Sequence, residues 1–115
     1  MITIYHNNRC RKSRESLEIL QKSGKEFKII NYLETVPSKK DLKMLLNLLD
    51  IPPIDLIRKN EAIWKEHFKG KDLSDTDLID AMISYPKLIE RPIVHNQNKA
   101  VIGRPPERVT ELLKT

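Results

Sequence analysis

A two-layer α/β fold is predicted for this chain of 115 residues, with a β-α-β unit first, a β-β-α unit last and an all-helical stretch between them. Three observations predict it. The N-terminal part passes from one apolar, β-branched run through an amphipathic segment to a second such run. The middle carries helical periodicity and no strand signal. Near the C-terminus, two short apolar runs flank Asn96-Gln97-Asn98-Lys99, and a last segment sets Val109, Leu112 and Leu113 on one face.

The elements follow in order. Met1 to Tyr5 reads as a short strand. A helix is expected from about Arg11 to Ser23, with Leu17, Ile19 and Leu20 apolar and Gly24 suited to the C′ position. Phe27 to Tyr32 reads as a second strand, joined to the first by a right-handed parallel crossover. Ser38-Lys39-Lys40-Asp41 is a capping-box-like start for a helix bearing Leu42, Leu45, Leu46 and Leu49. Pro52-Pro53 breaks that helix and opens a short one with Ile54, Leu56 and Ile57. A helical stretch with Ile63, Trp64 and Phe68 ends near Gly70. Ser74 to Asp77 caps a helix with Leu78, Ile79, Met82 and Ile83, terminated by Pro86. Pro92 to His95 and Ala100 to Ile102 read as an antiparallel pair, and Pro105-Pro106 starts the last helix. This order is that of a thioredoxin/glutaredoxin-like sandwich with a helical insertion over about residues 38–86, one domain in all.

Composition narrows the function. Charged residues make up 32% and hydrophobic residues 39% of the chain, with a net charge of +5. The charges are mixed in sign and form no long block, and the few aromatics do not interleave with the basic clusters. A solvated surface, or attraction of small anions, accounts for the charge better than nucleic-acid binding does. No apolar run approaches the roughly 18 residues of a membrane span, and the N-terminus enters a strand directly. One cysteine forms no internal disulfide or multi-thiolate zinc site, so a reducing, cytoplasmic setting and no metal are expected.

That cysteine, Cys10, falls where the first helix begins. Backbone N–H groups and the helix dipole favour an anion there. Arg9, Arg11, Lys12 and Arg14 crowd the same turn, where acidic residues are the usual choice. Both influences lower a thiol pKa. A buried, inert cysteine is the competing reading, opposed by the polar flanks of Cys10. His6 either tunes the thiolate through a hydrogen bond or caps the strand end. Arg58, Arg91 and Arg104 are each surface ion-pair partners or, together, guanidinium forks for a tetrahedral oxyanion. Arg91-Pro92 leads into the third strand, where Pro costs no ladder bond.

The runs Tyr5 to Arg14, Leu56-Ile57-Arg58-Lys59-Asn60, Glu90-Arg91-Pro92-Ile93-Val94 and Ile102-Gly103-Arg104-Pro105-Pro106-Glu107 resemble the glutaredoxin-coupled arsenate reductase family. The resemblance spans essentially the whole chain and is nearest to a short, housekeeping-type branch. It implies a reductase of arsenate to arsenite, serving arsenic detoxification, with Cys10 as nucleophile, glutathione as co-substrate, glutaredoxin as partner and no bound cofactor. It implies that Arg58, Arg91 and Arg104 hold the oxyanion, that His6, Ser13 and Arg14 support the thiolate, Ser13 through its hydroxyl, and that Pro92 is a cis-proline. His6-Asn7-Asn8 stands where the family has His-Asn-Pro, and Arg11-Lys12 where small residues are usual.

Two alternatives remain open. Spx-like transcription regulators, which bind RNA polymerase, share the fold and an Arg-Pro-Ile lead-in to the third strand. They carry a Cys-x-x-Cys switch, whereas Ser13 occupies the second position here. The other alternative is a thiol reductase of a different substrate.

Overall fold

In chain order the elements are β1 (Ile2–His6), α1 (Arg11–Lys22), β2 (Phe27–Asn31), α2 (Lys39–Leu49), α3 (Ala62–His67), α4 (Asp75–Ser84), β3 (Ile93–His95), β4 (Ala100–Ile102) and α5 (Glu107–Leu113). Short 3-10 turns occupy Pro53–Leu56 and Pro86–Leu88. The computed structural model describes residues 1–115. It divides into two units: Met1–Thr35 with Arg91–Thr115, and Val36–Glu90.

The first unit holds one four-stranded sheet in the order β2-β1-β3-β4. β1 and β2 run parallel, with Ile2 opposite Phe27 and His6 opposite Asn31. β3 lies antiparallel to β1, with Tyr5 opposite Ile93, and β4 lies antiparallel to β3. Alternation along the strands sends Ile4 and Val94 to one face. There they pack with Leu20 of α1 and Val109 and Leu112 of α5, all fully or nearly fully buried. Burying each such side chain contributes about 1.5–3 kcal/mol. α1 ends as its sequence suggests: Ser23 donates its N–H to the carbonyls of Ile19 and Leu20, and Gly24 turns the chain at φ 73°.

The second unit, Val36–Glu90, is built on two capped helices. Ser38 and Asp41 form a reciprocal capping box on α2, and Ser74 and Asp77 form another on α4. Each box satisfies two N–H groups that a helix start leaves unpaired. Leu42 and Leu45 of α2 and Met82 of α4 are completely buried. The two 3-10 turns pack beside α4, and their exits join by an isolated bridge between Ile57 and Ile89. Arg58 N–H donates to Leu88 O at 2.7 Å and Glu90 N–H to Leu56 O at 2.8 Å.

Three boundaries differ from the expectation. The stretch containing Trp64 leaves the helix at His67, and Gly70 closes the turn at φ 82°. Pro86 ends α4 but also opens its own 3-10 turn, since its fixed φ suits a first helical position. The last helix begins at Glu107, with Pro106 as its N-cap residue; the preceding Arg104–Pro105 bond is cis.

Candidate active site

Cys10 is the N-cap residue of α1, with extended backbone at φ −93° and ψ 121°. Its N–H donates to Asn7 O at 3.0 Å, which closes the loop after β1, and its carbonyl accepts the Arg14 N–H at 3.0 Å. The helix thus starts at the Cys10 residue itself. No acidic residue stands in the first turn, so the dipole's positive end is left for another anion.

The polar flanks of Cys10 pointed to an exposed thiol, yet the residue is only 6% exposed. Its cover comes from across the fold rather than from its sequence neighbours. Arg104, just beyond β4, sends Nη2 to within 3.4 Å of Cys10 Sγ. Arg91, just before β3, also reaches the sulfur. Long arginine stems cover apolar surface while their heads stay polar.

Burial is the largest single influence on the thiol and pushes its pKa up. The Ser13 backbone N–H, the charges of Arg91 and Arg104, and a hydrogen bond from Arg91 oppose it. Their sum wins, and the thiol sits below the ordinary cysteine value. The Ser13 N–H acts from the third helical position without closing a side-chain capping bond of ordinary geometry.

The Ser13 side chain does something other than expected. Its hydroxyl is completely buried and lies 2.5 Å from His6 Nδ1, and it accepts the Asn7 N–H at 3.0 Å. With both contacts made, the hydroxyl is committed to the loop, and the thiolate is served by the Ser13 amide. His6 is likewise buried and neither caps the strand nor touches the sulfur. Burial lowers its pKa first of all; the nearby Asn8 side chain pulls the other way, and the Arg14 charge lowers it further. His6 Nε2 nevertheless has no hydrogen-bond partner of ordinary geometry. Arg14 Nη1 donates to Asn8 O at 2.9 Å and so ties the first helical turn back to the loop.

Arg91 and Arg104 are coupled. Arg104 Nε donates to the Arg91 carbonyl at 2.8 Å. Nε and Nη1 of Arg91 are buried and have no partner in the chain. Arg91–Pro92 is a cis bond. Pro92 O accepts the Gly103 N–H at 2.9 Å, which joins the start of β3 to the end of β4 beside both arginines.

Arg58 has different company. It lies in the unit Val36–Glu90, where its guanidinium pairs with the Glu61 carboxylate and lies 3.5 Å from that of Glu90. Nor does any group of three or more His, Cys, Asp or Glu side chains come together.

Two contributors escaped the sequence reading. A Cβ on Gly103 would stand 2.5 Å from Ser16 Oγ and 2.9 Å from Pro92 Cγ, so only glycine fits there. Ser16 is fully buried with an unpartnered hydroxyl. The one available signal was a glycine directly before Arg104, which marks a close approach rather than a turn.

Fold and site together define a thioredoxin-like protein with a single thiol at a helix N-terminus beneath two arginines. The chain belongs to the ArsC family, which it matches over residues 5–112. It is 45% identical over 97% of its length to a protein of Escherichia coli K12 named "Uncharacterized protein YfgD", covering 96% of that protein. It is 40% identical to an arsenate reductase of Haemophilus influenzae, covering 97% of this chain and 98% of the relative. Among solved structures it is similar to an arsenate reductase from Vibrio cholerae, at 45% identity and a TM-score of 0.91, covering 96% of each chain.

Proposed function

We propose that this protein reduces arsenate to arsenite with Cys10 as its only nucleophile, and that glutathione and glutaredoxin deliver the electrons. One observation carries the reading. A thiol held below its ordinary pKa lies beside two guanidiniums, one of which keeps two buried donors without partners. Such donors suit a tetrahedral oxyanion, which supplies several acceptors in fork geometry. Membership of the ArsC family and the arsenate reductases among its relatives support the choice of arsenate.

In this reading the Cys10 thiolate attacks arsenic and displaces one oxygen as hydroxide, leaving a sulfur–arsenate adduct still at As(V). An external thiol then supplies the electrons. Arsenate and two thiols yield arsenite, one disulfide and one water, and Cys10 is returned. Arg91 and Arg104 neutralise the like charges that meet when the oxyanion approaches the thiolate. Arg58 is engaged within its own unit by the Glu61 and Glu90 carboxylates. With no second cysteine in the chain, the resolving sulfur comes from outside. The cytoplasm, where such thiols are kept reduced, is the matching compartment.

The test is arsenite release by the purified protein with glutathione and glutaredoxin. Wild type is expected to turn over and Cys10→Ser to be inactive. Equal release by both would refute the reading.

A further inference from the structure

A hollow of about 340 Å³ adjoins the loop that carries Cys10. Asn7, Asn8 and Arg9 form one wall, and Asn31, Leu33 and Glu34, at and beyond the end of β2, form the other. Its size lies at the lower end of small-ligand sites.

The hollow holds one full charge of each sign, and the two do not meet. Neither the Arg9 guanidinium nor the Glu34 carboxylate has an ion-pair or side-chain hydrogen-bond partner in the chain, although their backbone amides are both engaged. On α1, by contrast, two opposite-charge pairs do meet: Arg11 with Glu15 at 3.0 Å and Lys22 with Glu18 at 2.7 Å. A ligand with a carboxylate and an ammonium on one carbon matches separated cationic and anionic walls. The carboxylate takes the Arg9 fork and the ammonium takes Glu34. The Asn31 carboxamide, which has no partner in the chain, is available to a peptide group, and exposed Leu33 is available to methylenes.

The loop fixes what such a ligand is for. Arg9 precedes Cys10 directly, and the Cys10 N–H is bonded back to Asn7 O. A molecule anchored on Arg9 by its amino-acid head is held at the residue next to Cys10, and an extended ligand of tripeptide size spans roughly 3.3–3.6 Å for each residue beyond that anchor.

We infer that this hollow binds the free α-amino-acid head of the small thiol that resolves the Cys10 adduct. The inference rests on the reading that an external small thiol completes the cycle. The ligand class is a thiol carrying both an α-ammonium and an α-carboxylate; a γ-glutamyl head meets the requirement and an uncharged dithiol does not. The hollow contributes binding and position, and Arg91 and Arg104 act on the oxyanion.

The test uses S-methylglutathione, which carries the head but no thiol, titrated into the isotope-labelled full chain. Its binding requires no arsenate chemistry, so it tests the hollow whether or not arsenate proves to be the substrate. Amide shifts are expected at Asn7, Asn8, Arg9, Asn31, Leu33 and Glu34. Arg9→Gln and Glu34→Gln should each weaken binding by about tenfold or more, as for loss of a charge-assisted contact. N-acetyl-S-methylglutathione, which lacks the ammonium, should bind wild type and Glu34→Gln equally. In turnover, Glu34→Gln should raise the KM for glutathione and leave dithiothreitol-driven rates unchanged. Shifts confined to the surroundings of Arg91 and Arg104, an unchanged Kd in both variants, or equal losses with both thiols would overturn the inference.

Discussion

Arg104 Nε donates to the backbone carbonyl of Arg91 at 2.8 Å while its Nη2 points at Cys10 Sγ. One guanidinium thereby fixes the mouth of β3 and charges the sulfur's surroundings. The two functions separate on substitution. Arg104→Lys keeps a positive charge but loses the planar fork that makes both contacts at once. Arsenate reduction is expected to fall about tenfold or more in Arg104→Lys and in Arg91→Lys. Arg108, exposed on α5 and without a side-chain partner, is the control and should tolerate Ala. Equal rates in all of these proteins would remove the arginines from the site.

The depressed thiol pKa makes alkylation pH-dependent in a defined direction. The iodoacetamide rate constant of wild type should level off at a lower pH than that of free cysteine, about 8.5. Arg104→Ala should move the inflection upward, because a charge that lowers the pKa is gone. A wild-type inflection at or above the free value contradicts the site as described.

The same shift links folding to pH. A group whose pKa is lower folded than unfolded adds stability above its unfolded value, and this is lost as pH falls through the folded value. The stability difference between wild type and Cys10→Ser should therefore favour wild type more at high pH than at neutral pH. Chemical unfolding of both proteins across this range measures it.

His6 works toward the acid side. Burial lowers its pKa, so the unfolded chain takes up the proton first as pH drops below about 6.5. Wild type should lose stability from that point down to the folded pKa. His6→Asn should lack this part of the acid decline. Ser13→Ala leaves the buried Nδ1 of His6 and the Asn7 N–H without their shared partner, at a cost of about 1–3 kcal/mol.

Gly103→Ala is expected to destabilise by about 1–3 kcal/mol, since the new methyl meets Ser16 Oγ and Pro92 Cγ well inside contact distance. Ser16→Ala alone should be near neutral, because it removes a buried hydroxyl that has no partner. Combined, Ser16→Ala should recover part of the loss. A strictly additive double mutant would show that the two residues do not touch.

What was legible in the sequence was local. The capping boxes at Ser38/Asp41 and Ser74/Asp77 are three-residue relationships, and both formed as read. The apolar faces of α1, α2, α4 and α5 and the hairpin about Asn96–Lys99 likewise depend on near neighbours. Cys10 at the start of α1 followed from the change of periodicity at that point. The remainder depends on distant pairing. Cys10 is buried by arginines that lie beyond the helical segment, so its own flanks misled. The Ser13 hydroxyl had several candidate partners, and packing chose His6 and Asn7 over the sulfur. The close fit at Gly103 exists only once β4 is set against β3 and α1.

Arg104 and Cys10 are separated by 94 positions in the chain. During synthesis the sulfur leaves the ribosome early, and the guanidinium that charges its surroundings is among the last parts to follow. Until the β3–β4 hairpin docks, the nascent polypeptide carries a thiol without its arginines. The two guanidinium charges that lower the Cys10 pKa thus arrive only with completion of the sheet.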